Sequence, residues 1–114
     1  MNTIAFYNGM FMPKDEITIP LSDRAIYFGD GIYEAAIGRN GKVYLDSYHM
    51  QRFFENAQKL ELEVAYASYK LHEILQRVID SNALDTFFIY FQLTRSEKER
   101  RPTYSGKKTN LLVT

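Results

Sequence analysis

Within SDRAIYFGDGIYEA, residues 22–35, a Gly-Asp-Gly corner is followed at once by Tyr33 and Glu34. Such a corner can bring main-chain N–H groups up to a ligand, and a phenol beside a carboxylate can bind a polar group or carry a proton. Asp30 and Glu34 could work as a carboxylate pair, but an acidic pair beside a turn is usually solvated, and solvation is the expectation here. His49 and His72 fall inside helical patterns without a convincing partner nearby in sequence, so partly exposed or capping histidines are expected. Arg52 follows His49 in HMQR and offers a permanently charged planar fork suited to an anion, although surface statistics alone make it a solvated helix arginine. No HExxH, P-loop, Rossmann glycine pattern or GxSxG elbow is present. With no cysteine there is no thiol nucleophile and no thiolate zinc site, and no metal site is expected.

The elements that must position these residues can be read from their periods. Asn8-Gly9 and Asn40-Gly41 each separate two runs of strand type, the pair preferred in two-residue hairpins. With the extended EITI segment between them, and no helix-length segment before residue 45, they predict an antiparallel sheet. In DSYHMQRFFENAQKLEL the apolar residues Met50, Phe53, Phe54, Ala57 and Leu60 recur at helical spacing, with Asp46 or Ser47 as the expected cap. SYKLHEILQRVIDSNAL repeats the pattern, with Ser68 as the expected cap and Asn82 near the stop. TFFIYFQLTR then alternates in strand fashion with both faces largely apolar, which predicts a central strand, and TNLLVT begins another. The expected fold is α+β: an antiparallel sheet with two helices packed on one face.

Residues 1–114 suit one domain, and no linker, low-complexity tract or repeat divides them. Nine tyrosines and eight phenylalanines, with no tryptophan, point to an aromatic core or an aromatic-lined site. Fourteen basic residues balance fourteen acidic ones, which argues against nucleic acid or an anionic membrane as partner, so any anion site must be local. No apolar run approaches the ~18 residues of a membrane helix and no signal segment is evident, so a cytoplasmic protein is expected. The final strand running to the last residue suggests a domain cut from a longer chain.

The ordered motifs FGDGIYE, HMQR and IYFQLTR, spaced by an Asn-Gly hairpin and the two helical patterns, resemble the N-terminal domain of the class IV aminotransferases. These are the fold-type IV pyridoxal phosphate enzymes, and the likeness is strongest to their D-amino-acid transaminase branch. The resemblance implies transfer of an amino group between an amino acid, D- or branched-chain, and a 2-oxo acid, by a homodimer using pyridoxal 5'-phosphate. It implies that Arg52 binds the cofactor phosphate and that Tyr33 meets the substrate carboxylate at the mouth of the site. Arg100, in SEKERRPTY, matches the arginine of a carboxylate trap reaching across the dimer. Two residues further on the family has a histidine where this chain has Pro102, a role open to Arg101, to Tyr104 or to a different substrate.

The family's catalytic lysine belongs to a following, larger domain that this sequence does not contain. Lys14, Lys42, Lys59, Lys70, Lys98, Lys107 and Lys108 lie in polar loops or on helix surfaces and offer no substitute, so no catalytic residue is expected in this chain and the fragment alone should be inactive. Two other readings share these features: 4-amino-4-deoxychorismate lyase of the same family, and a non-catalytic binding domain derived from the fold.

Overall fold

The computed structural model describes residues 3–96 and 108–114. Six strands form one antiparallel sheet: β1 (Ile4–Tyr7), β2 (Met10–Pro13), β3 (Gly31–Arg39), β4 (Lys42–Val43), β5 (Phe87–Arg95) and β6 (Thr109–Val113), in the order β2-β1-β6-β5-β3-β4. Both Asn-Gly pairs make the expected hairpins, each with two residues at positive φ: Asn8 at 44° and Gly9 at 94°, Asn40 at 54° and Gly41 at 71°. That twist matches the right-handed twist of the flanking strands.

Two long helices, α2 (Asp46–Lys59) and α3 (Ser68–Asn82), cover one face of the sheet. Their apolar stripes meet the inward residues of the strands, with the Phe53 ring centred 5.0 Å from that of Phe91 and with Leu71, Leu75 and Val78 buried alongside. Asn82 does more than stop α3: its side chain accepts from the Ile4 N–H and donates to the Ile4 carbonyl, tying the helix end to β1.

Several local expectations are corrected. EITI is not a strand, because Lys14–Glu16 forms a 3-10 turn and Ile17 bonds back to Lys14, turning the chain out of the sheet before Pro20. A five-residue helix, α1 (Arg24–Phe28), precedes the Gly-Asp-Gly corner; Asp23 caps its first turn and Gly29 closes it in the left-handed region. Neither long helix uses its expected cap. Leu45, at φ 55°, stands at the start of α2 with Asp46 inside the helix, and Ala67 precedes Ser68 at the start of α3.

β5 is central, as its sequence predicts, lying between β3 and β6. Its two faces nevertheless have different fates. Ile89, Phe91 and Leu93 are buried beneath the helices, whereas Phe88 and Tyr90 are exposed on the opposite face beside Tyr33 and Ile37 of β3.

Candidate functional site

The sequence that folds into β3 places alternate side chains on opposite faces of the sheet, so Tyr33 and Glu34 part company. Glu34 points beneath α2 and is 1% exposed, while Tyr33 stands open at 66%. A carboxylate taken this far from water needs charged or donor partners on both oxygens. It has them. Arg52 Nε donates to Glu34 Oε2 at 2.9 Å, and His49 Nδ1 lies 2.9 Å from Glu34 Oε1. Because a carboxylate only accepts, the proton in the second contact is assigned to Nδ1. The helical spacing of His49 and Arg52 sets both on the side of α2 that faces β3.

Arg52 is half exposed and carries a further bond, from Nη1 to the Tyr48 hydroxyl at 3.2 Å, with the Tyr48 ring 5.5 Å beneath its guanidinium carbon. The hydrogen bond to Glu34, then that to Tyr48, holds the Arg52 pKa above its ordinary value. Nη2 has no acceptor among the described residues. The guanidinium is therefore held at Nε and Nη1, and on this half-exposed side chain Nη2 keeps its donors.

A second polar cluster is built around the corner itself. Asp30 Oδ2 accepts from Arg24 Nε at 2.7 Å and from Arg95 Nε at 2.9 Å, and Arg95 continues to the Leu60 and Glu61 carbonyls at the end of α2. Gly31 has its own reason to be glycine: a Cβ there would stand 2.7 Å from the Leu93 carbonyl oxygen on β5. Nearby, Asp23 accepts from Ala25 N, Thr94 Oγ1 and Asn110 Nδ2, fastening α1 to β5 and β6.

The solvated acidic pair is thus a misreading, since Asp30 and Glu34 are separately tied to basic groups in different clusters. The two histidines are also partnered, His49 by Glu34 and His72 by Asp46 at 2.8 Å. Arg52 and Tyr33, both singled out in the sequence, sit on opposite faces and share no contact. Arg100, Arg101, Pro102 and Tyr104 lie outside the described residues. Glu34 and His49 are functional candidates that sequence reasoning undervalued; the signal was an acidic residue in the inward phase of an otherwise apolar strand. Among the described residues no cluster of metal-ligating side chains occurs, and no helix is long and apolar enough to cross a membrane.

No family model matches the chain. It is 35% identical over 99 residues to D-alanine aminotransferase of Staphylococcus aureus strain MSSA476, covering 87% of this chain and 35% of the relative. The corresponding enzyme of Listeria monocytogenes strain 10403S is 31% identical over 94 residues, 82% of this chain and 32% of the relative. Over these residues the chain is similar to the N-terminal domain of the class IV aminotransferases. It spans about a third of the length of the curated relatives it matches. The fold agrees: branched-chain amino acid aminotransferase from Escherichia coli superposes with a TM-score of 0.88 at 19% identity over 99% of this chain and 40% of that one. The branched-chain aminotransferase of the archaeon Thermoproteus uzoniensis, solved with norvaline, gives 0.88 at 17% identity, over 100% and 40%. The α+β architecture expected from the sequence is that of the small domain of these enzymes, and the relatives do not favour the lyase or binding-domain readings.

Proposed function

We propose that residues 1–114 are the N-terminal domain of a pyridoxal phosphate-dependent aminotransferase moving an amino group between an amino acid and a 2-oxo acid. The enzyme would work in the cytoplasm as a homodimer, its lysine supplied by a further domain. The observation that carries this reading is a half-exposed Arg52 held at Nε and Nη1 with Nη2 unengaged among the described residues. A phosphate needs donors that stay charged, and a guanidinium held at Nε and Nη1 retains terminal N–H groups to give. The donor set fits the group. Glu34 takes only the Nε–H of Arg52 and so does not occupy the terminal N–H groups that a phosphate would use.

When bound, the cofactor supplies the electron sink that amino-group transfer requires. This chain's residues bind and orient. Arg52 would hold the phosphate, and Tyr33, exposed on the open face, would offer its hydroxyl to the substrate carboxylate. Arg100, from the partner subunit, would be the charged member of that carboxylate site. The aromatic strip formed by Tyr33, Tyr90 and Phe88 would help exclude water from the substrate side.

Cofactor titration of the complete enzyme tests the reading. Arg52→Ala should weaken pyridoxal phosphate binding about tenfold or more, and Arg52→Lys should recover only part of it because the planar fork is lost. Unchanged affinity in both variants would return Arg52 to the role of a helix-surface cation.

A further inference from the structure

We infer that Glu34 and His49 are positioning residues that aim the Arg52 guanidinium at the cofactor phosphate, an inference that rests on the phosphate role proposed for Arg52. A carboxylate serving only to neutralise an arginine is commonly met by two parallel N–H groups. Here Glu34 takes one, the inner Nε, and turns its other oxygen to His49. The division leaves the terminal nitrogens of Arg52 to Tyr48 and to the outside. His49, whose side chain is 17% exposed, prevents the carboxylate from rotating to chelate the fork.

The arrangement also links rigid parts. Glu34 is fixed by its strand, paired opposite Phe91 in the middle of the sheet, while His49 and Arg52 ride on one helix. An arginine half in solvent would otherwise sample many rotamers, and each would have to be given up on binding the phosphate. Holding the side chain in advance removes that cost. Glu34 and His49 thereby act through Arg52 without touching the ligand.

The test measures dissociation constants of pyridoxal and pyridoxal phosphate for the apo form of the complete enzyme, since the pyridoxal value divided by the pyridoxal phosphate value isolates the phosphate contact. Glu34→Leu should lower that ratio about tenfold or more, the scale seen when groups orienting a ligating side chain are removed. Glu34→Gln should hold it within about threefold: the amide oxygen still accepts from Arg52 Nε, and the amide N–H meets the other tautomer of His49. His49→Leu should lower the ratio as well, and carries the test if Glu34→Leu does not fold. A ratio lost in Arg52→Ala but kept in Glu34→Leu and His49→Leu would overturn the positioning role while leaving the phosphate reading intact. A ratio kept in Arg52→Ala would overturn both. Glu34→Gln as damaging as Glu34→Leu would assign the effect to charge and also overturn the positional account.

Discussion

The Gly-Asp-Gly corner shows how one partly buried charge can organise three segments. Asp30 stands between two guanidinium groups whose side chains are 5% and 1% exposed, Arg24 and Arg95. Arg95 also donates to the Leu60 and Glu61 carbonyls past the last turn of α2. Asparagine at position 30 would keep the shape and an acceptor but remove the negative charge that both guanidinium groups face. Removing one partner of a buried pair typically costs about 3–5 kcal/mol. Asp30→Asn is therefore expected to lower the stability measured by urea unfolding by about 3 kcal/mol or more. An unchanged midpoint would mean that Arg24 and Arg95 are neutralised elsewhere. Nothing in the spacing of residues 24, 30 and 95 announced this cluster, because the third member arrives only through the pairing of β3 with β5.

At the scale of elements, what was legible depended on whether the cause was local. The hairpins were legible because asparagine and glycine tolerate positive φ, and the long helices because their apolar period survives any context. The helix starts were not: Leu45 enters the left-handed region and displaces the polar cap, a conformation imposed by the tight link from β4. The contact of Glu34 with His49 and Arg52, across 15 and 18 residues, was equally hidden, since it follows from α2 docking on β3. β1 carries a comparable surprise. The Tyr7 hydroxyl is enclosed with no partner among the described residues, and burial first, then the nearby Asp23 carboxylate, pushes its pKa above the ordinary value. Tyr7→Phe should be neutral or stabilising by up to about 1 kcal/mol near neutral pH, because an unmet donor is removed with the hydroxyl. The sign with pH follows from linkage. A tyrosine whose folded pKa is raised contributes fully below about pH 10 and loses that contribution as pH climbs through the folded value. Urea midpoints measured from about pH 8 to about pH 11 should accordingly fall less steeply for Tyr7→Phe than for the parent chain. Parallel curves would show that Tyr7 titrates alike in both states.

Taken whole, the molecule is a slab of 43 × 30 × 19 Å with the two long helices on one side and, on the other, a sheet face that the segment around α1 covers in part near Gln92 and Thr94. Arg52 belongs to the helix side and Tyr33 to the open side, so a ligand touching both must lie around the sheet's end or edge, not within this domain. The division explains why no complete active site could be read from these residues. A lysine that bonds a cofactor works with a depressed pKa, which needs apolar surroundings or neighbouring cations. Lys14, Lys42, Lys59, Lys70 and Lys108 are all exposed. The 114-residue chain alone should therefore catalyse no amino-group transfer. After incubation with pyridoxal phosphate and reduction with borohydride, mass spectrometry should find only low, scattered modification spread over its surface lysines. Stoichiometric labelling of a single lysine, competed by pyridoxamine phosphate, would place a cofactor site within this domain and overturn the division of labour between it and the rest of the enzyme.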